Sequence, residues 1–444
     1  MRNKFDLSCY SFTNLGIGAL QTLQVIPILP GDSIDMLMHI QTKLSPLRRS
    51  LSVDALVSVM GFYIPHRQIY DADWISFIEG GVDTATTLTG QTIGAGSGAI
   101  YDYLGGHFVE GSTYAKWRLE GYNRIWDRFF RHKTLTPDMT LNWVPATGTR
   151  PTNHTALNSP IVASDFQNKF GFPCSRLPTP WARGIVSGIT TADTDFDTAS
   201  STYSIISLNQ LKARYRSELE RDWFYQQYPD IMKGEFGTKV NIDTDERPDM
   251  LFKHDFPING YDIDGTDDVT LGVSSGKAIG TGAYIMPRKY FPEHGALWIM
   301  LLIRFPTIVE NEMHPLAGIT NAAPSYKMIA GDNGIVAAEP PATEDLDEWT
   351  TSTGNIDVGT MPYGQHYRWQ PNHVHTQYDE ILGMPFINST QITNHQEAVY
   401  IQSNEYNDVF QSKKLGNAQA QCAFKINALR NFPAPSTSIF AGSK

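Results

Sequence analysis

Residues 51–70 read LSVDALVSVMGFYIPHRQIY, and residues 42–50 before them read TKLSPLRRS. Leu51, Val53, Ala55, Val57 and Val59 alternate with Ser52, Asp54, Leu56 and Ser58. A period of two gives a strand one apolar face and one mostly polar face. Valine is β-branched and suits the pleat. Gly61 and Pro65 then mark a bend or the end of the strand. Such a strand is a scaffold feature rather than a reaction centre, so the fold rests on how much of the chain shares its period.

Working outward, Ile34, Met36, Met38 and Ile40 alternate with Asp35, Leu37, His39 and Gln41, which predicts a second strand just upstream. Leu23, Val25, Ile26, Ile28 and Leu29, interrupted by Pro27 and closed by Pro30-Gly31, predict an edge strand ending in a turn. Downstream the character changes. Trp74, Phe77 and Ile78 have helical spacing over 72–79, and Trp117, Tyr122, Ile125, Trp126 and Phe129 have it over 114–130. The best helical pattern runs over 208–228 behind a Ser207 cap and ahead of Pro229. Residues 80–98 and 133–204 read as loop, and 236–280 as irregular and rich in Gly and Asp. Strands return from Ala283: Tyr284–Tyr290, the turn FPEHG, and the buried run ALWIMLLI over 296–303. Residues 306–360 are a further loop. His366–Trp369 and Glu397–Gln402 are short strand candidates. Ala420, Cys422, Phe424, Ile426 and Ala428 mark a clear last strand.

The chain is therefore mainly β, with strands mainly in 20–66, 283–305 and 363–432 and insertions over about 67–280 and 306–360. There is no βαβ rhythm and no internal repeat, which leaves a sandwich, a barrel or a jelly roll. Loops this long are unusual within one compact domain and make sense if they pack on other subunits.

Composition fits this picture. The chain has 444 residues, with 36 Gly, 26 Pro, 20 Tyr and 22 Phe, suited to many turns and short strands. The formal net charge of −11 argues against nucleic-acid binding through bulk charge but leaves room for a local basic patch. Three cysteines without a CxxC pair point to a reducing compartment. The start MRNKFDLSCY lacks the apolar core of a secretory signal, and no apolar run is long enough for a membrane helix.

Few residues suggest chemistry. His366, His373 and His375 could hold a metal as some jelly-roll oxygenases do, where an HxH pair on a strand is joined by a third ligand, carboxylate or histidine, but Pro371 ahead of the HxH pair favours a loop of solvated histidines. In YDIDGTDDVTLG the alternate carboxylates Asp262, Asp264, Asp267 and Asp268 resemble part of a calcium loop. The glutamate such a loop needs falls on Val273, so a turn capped by Asp side chains is the simpler reading. Lys212, Arg214 and Arg216 on the long helix are a basic cluster, and Trp117 and Arg124 belong to a run of basic and aromatic residues. Such groups can bind phosphates and stack bases, or simply form solvated or contact faces. No phosphate-binding loop, nucleophile elbow or zinc-protease motif appears.

At the opening stretch these readings meet a known family. LSPLRRSLSVDALVSVMGFYIPHRQIYDADWI (44–75) resembles the matching segment of the major capsid protein, protein F, of phiX-type Microviridae bacteriophages. The likeness continues in order through GYNRIW (121–126), ERDWFYQQYPDIM (220–232), FGTKVNIDTDERP (236–248), GYDIDGTDDVTLG (260–272), FPEHG (291–295), RFP (304–306), GMPF (383–386), FQS (410–412) and LRNFP (429–433). It is weakest over 80–112, 133–204 and 307–360, where surface loops would diverge.

The resemblance implies a single capsid domain: an eight-stranded antiparallel jelly roll with long inserted loops and a few helices. About sixty copies would close a T=1 icosahedral shell around a circular single-stranded DNA genome. It implies a pentameric spike protein, a small basic DNA-packaging protein and assembly scaffolding proteins as partners, contact with host lipopolysaccharide, no cofactor and no catalysis. It places the chain in the virion, assembled in the bacterial host cytoplasm. A metal-binding, cupin-like jelly-roll enzyme is the alternative, and a carbohydrate-binding sandwich is a third. Arg48, Arg49, His66 and Arg67, where the opening strand leaves the sheet, are the subunit-contact candidates. Lys212, Arg214, Arg216, Trp117 and Arg124 are the DNA-contact candidates.

Overall fold

The computed structural model describes residues 3–48, 53–70, 72–79, 112–131, 247–264, 274–308 and 416–431. Short pieces at 51, 88, 90–92, 109, 174, 343–345, 360–362, 370, 406 and 409–410 are also described. In chain order the strands are β1 (Asn3–Asp6), β2 (Cys9–Leu15), β3 (Gln21–Ile28), β4 (Asp32–Leu44) and β5 (Ala55–Pro65). Two helices follow, α1 (His66–Tyr70) and α2 (Ala72–Glu79). A small ribbon of β6 (Gly90–Thr92) and β7 (Thr113–Ala115) leads into helix α3 (Trp117–Phe129). Next come β8 (Asp249–Asp264), β9 (Ser274–Phe291) and β10 (Gly295–Arg304). A second ribbon of β11 (Thr343–Asp345) and β12 (Thr360–Pro362) precedes the last strand, β13 (Ala418–Arg430).

The long strands form one antiparallel path, β1–β13–β4–β9–β8–β5–β10–β3, with β2 also paired to β13. The path folds into two four-stranded layers. In one, β2, β13, β4 and β9 are neighbours. In the other, β3, β10, β5 and β8 are neighbours. Strand β8 belongs to both: Asp249–Ile258 pair with β5, and Asn259–Asp264 pair with β9. That order is the double Greek key of a jelly roll, as the family resemblance implies. The two large insertions leave the roll after β5 and after β10.

Ile34, Met36, Met38 and Ile40 of β4, Phe424 and Ile426 of β13, and Leu297, Ile299 and Leu301 of β10 meet in the core between the layers. The β3–β10–β5–β8 layer is buried on its other side as well. There Phe62, Ile64, Trp298, Met300 and Leu302 pack with Tyr122, Ile125 and Trp126 of α3 and with Cys174. This is why β10 reads as an unbroken apolar run while β4 and β13 alternate: a sheet covered on both faces needs no polar face, and a sheet open on one face does.

The opening stretch obeys the same rule. Its strand begins at Ala55 rather than Leu51, and nearly all of it is buried on both sides. Gly61 does not end it. A register shift falls between Gly61 and Phe62, and the Phe252 ring of β8 lies directly over the glycine, 2.1 Å from where a Cβ would stand. A glycine inside a strand here marks close approach.

One expectation needs correction. Residues 236–280 read as irregular, yet β8 and the first part of β9 are long strands. The glycines that suggested a loop include a packing device: a Cβ on Gly280 would lie 2.8 Å from the Ile258 side chain of β8. By contrast β3, β4, β10, β13, α2 and α3 lie where the periods place them, with small changes at their ends. The helix over 208–228 and the strand candidates at 366–369 and 397–402 lie outside the described residues.

Candidate interaction surfaces

At the end of β5 the first insertion is anchored to the turn FPEHG between β9 and β10. Pro65 stops the strand, and the His66 backbone N–H donates to the His294 carbonyl at 2.9 Å. The Arg67 guanidinium grips the Glu293 carboxylate with two hydrogen bonds of 3.1 Å. The Tyr63 hydroxyl donates to the Glu293 carbonyl at 2.9 Å. The Gln68 side-chain amide donates to the Arg247 carbonyl at 3.0 Å, tying the end of the insertion to its beginning.

The His66 ring is buried with its centroid 4.9 Å from that of Trp74 and 5.0 Å from that of Trp117, while His294 lies against the other side of Trp74 at 5.6 Å. Tyr70 stacks on Trp74, and its hydroxyl accepts the Trp117 backbone N–H at 3.2 Å. Trp117 in turn carries the Arg118 guanidinium 5.3 Å from its ring centroid, a cation–π contact. On α3 the buried Glu120 carboxylate lies 3.2 Å from Lys116 and 3.7 Å from Arg124. The Tyr122 hydroxyl donates to the Leu20 carbonyl at 2.7 Å, which fixes α3 to the start of β3.

The contact candidates thus fall into two places. His66, Arg67 and Trp117 come together in the junction, with Arg124 on the adjoining helix. Arg48 lies apart, exposed beyond the end of β4, where its backbone N–H donates to the Val409 carbonyl at 3.0 Å. Neighbouring Leu47 bridges Gly276 and Phe410. Arg49, Lys212, Arg214 and Arg216, and the histidines 366, 373 and 375, lie outside the described residues. Of the acidic run, residues 262–264 are the end of β8, paired with 274–276. Among the described residues no group of His, Cys, Asp or Glu could hold a metal ion. The described geometry is therefore one of anchoring and packing.

A family model described as "Capsid protein (F protein)" matches residues 1–180 and 191–440. The chain belongs to the capsid protein F family. It is 35% identical over 436 residues to the capsid protein F of Escherichia phage G4, covering 98% of this chain and 96% of that one. It is 31% identical over 449 residues to the capsid protein F of Enterobacteria phage phiK, covering 99% and 97%. With the capsid protein F of Escherichia phage alpha3 it shares 30% over 450 residues, again covering 99% and 97%.

In this F-family chain the junction carries a pH signature. Burial pushes the His66 imidazole down from 6.5 to about 4, and the neighbouring His294 adds to the effect. The folded chain therefore holds the neutral ring. Once unfolded, His66 binds a proton below about 6.5. This residue's contribution is complete above that pH and is lost as pH falls toward about 4, by on the order of 3 kcal/mol. His66→Gln should lower the loss of stability between pH 7 and pH 4.5, measured as the urea midpoint of the full-length chain. An identical loss in both proteins would place the pH dependence elsewhere.

Proposed function

We propose that this capsid protein is the major structural subunit of a closed T=1 icosahedral shell of about sixty copies, enclosing a circular single-stranded DNA genome. The observation that carries the reading is the match to capsid F proteins along nearly the whole chain. The subunit is one capsid domain, structural rather than catalytic. It works with a pentameric spike protein, a small basic DNA-packaging protein and assembly scaffolding proteins, contacts host lipopolysaccharide, and assembles in the bacterial host cytoplasm. Its acidic balance fits a division of labour in which the small basic protein neutralises most of the phosphate.

Arg48, Arg49, His66 and Arg67 mark regions of subunit contact in this reading. The buried His66 acts by setting the junction that presents Arg67, and the exposed Arg48 acts directly. Electron microscopy of purified material should show uniform closed particles, each subunit burying more than about 2,000 Å². Arg48→Glu should cut particle yield severalfold while leaving the chain soluble, because reversing a contact charge sets like charges together. A stable monomer as the sole species in native mass spectrometry of virus-derived protein would overturn the shell. Normal yield from Arg48→Glu would remove Arg48 from the contact.

A further inference from the structure

The roll is held mainly by apolar packing and strand pairing, which involve no titrating group. The base of the first insertion is held differently. Helices α1 and α2 meet the turn FPEHG and the start of α3 through one aromatic cluster. In it the Trp74 ring has His66 at 4.9 Å and His294 at 5.6 Å. Tyr70 stacks on the same ring, and Trp117 lies 5.0 Å from His66. His66 is the centre of the cluster. It is 8% exposed, and among the described residues its Nδ1 has no hydrogen-bond partner.

A neutral imidazole suits this place, because its neighbours are apolar rings. An imidazolium does not. A buried charge needs a counter-charge or a set of acceptors, and the groups around His66 supply neither. Next to it on α1 is Arg67, of the same sign, and the Glu293 carboxylate of the turn is already held by two hydrogen bonds from Arg67. The turn also brings His294, a second imidazole. The start of α3 brings Lys116, Arg118 and Glu120. There the Glu120 carboxylate is shared by Lys116 and Arg124, and Arg118 lies over Trp117. On α2, Asp73 is exposed to solvent. Among the described groups, His294 alone acts on the charge of His66, and it opposes that charge. The indole faces return only part of the hydration that a buried cation loses.

The closed junction therefore keeps the ring neutral down to about pH 4. In an opened junction the ring meets water and takes a proton near its ordinary value of about 6.5. Opening is favoured increasingly as pH falls below about 6.5, and the effect is complete near the lower value.

We propose that His66 is a pH-sensitive latch: the neutral ring holds α1 and α2 against the FPEHG turn and the start of α3, and acid frees these two helices while the jelly roll stays folded. The ties that join them to the rest of the chain surround His66: its own backbone N–H to His294, Gln68 to Arg247, and Tyr70 to the Trp117 N–H. Helix α3 has separate anchors, through Tyr122 to Leu20 and through its packing on β10. Helix α2 carries Ile75, Phe77 and Ile78 exposed on its surface, so the latch sets where an apolar surface of the subunit stands. The latch belongs to the single chain and is tested without assembly.

The test is hydrogen exchange of the full-length chain at pH 7 and pH 4.5, with labelling times scaled to the intrinsic exchange rate. Exchange over 66–79 should speed up about fifty-fold, the ratio set by the proton affinities of the open and closed junction. Residues 296–303 of β10 and 120–129 of α3 should keep their protection. His66→Phe leaves a neutral ring against Trp74 and should hold the same protection over 66–79 at both pH values. His66→Gln should be equally flat with pH, at a lower level of protection where the lost ring loosens the junction. An unchanged 66–79 segment in the native chain at pH 4.5 would overturn the latch. So would a speed-up of native size in both variants, or a matching loss of protection over 296–303.

Discussion

Trp298→Ala is expected to cost about 3–5 kcal/mol, the range for truncating a buried aromatic residue. Trp298 is fully buried in the middle of β10, on the side facing away from the jelly-roll core. It belongs to the layer formed with Tyr122, Ile125 and Trp126 of α3, whose flank Tyr122 ties to Leu20. Rigid strands on one side and a tethered helix on the other leave the site little freedom to collapse, which places the cost toward the upper end. The loss is a large share of the stability of an ordinary domain. It should appear as a lower urea midpoint for the full-length chain and as a lower yield of soluble protein. Trp298→Phe should recover part of it. An unchanged midpoint in the alanine variant would mean that the α3 layer contributes little to holding the roll.

Asp32→Ala should have an effect of similar size by another route. Asp32 is completely buried in the turn between β3 and β4. Its carboxylate accepts the Leu29 backbone N–H at 3.0 Å and lies 3.0 Å from Arg430 at the end of β13. Arg430 also donates to the Pro27 carbonyl at 2.8 Å. One carboxylate thus joins the β3–β4 corner to the last described strand. Removing one partner of a largely buried ion pair leaves the other charge uncompensated, at about 3–5 kcal/mol. Asp32→Asn keeps an acceptor for Leu29 and loses only the charge, so it should be milder. Asp32→Leu with Arg430→Met should recover much of the loss, since an apolar pair can replace a buried ionic one. Additive losses in that double variant would show that the two residues act separately.

The candidate site was legible only in part. The sequence GFYIPHR shows that a strand stops at Pro65 and that a histidine and an arginine follow, which makes them contact candidates. It cannot show that Glu293 and His294, from a turn far along the chain, meet them there. His66 is consequently buried among Trp74, Trp117 and the base of the insertion. The exposed aromatic face of β2 escaped for a different reason. In CYSFTNL the aromatic residues Tyr10 and Phe12 point to solvent, while the opposite face carries small side chains such as Ser11, whose hydroxyl donates to the Leu23 carbonyl at 2.7 Å. A periodicity argument sends the apolar set inward, so a strand built the other way round passes unnoticed.

By itself the sequence determined the strands whose surroundings match their own pattern. β4 and β13 alternate because one face meets the core and the other meets water, and β10 is apolar throughout because both its faces are covered. The ordered family blocks, from SPLRR to LRNFP, determined the kind of protein. Tertiary structure alone decided where β5 begins, that Gly61 lies inside it, and that 249–264 and 274–280 are strand rather than loop. Those outcomes depend on neighbours distant in the chain: Phe252 over Gly61, Ile258 beside Gly280, and β8 passing from one layer to the other. A glycine that frees a turn and a glycine that makes room for a ring read alike in one dimension. Only the partner brought to it by the fold separates them.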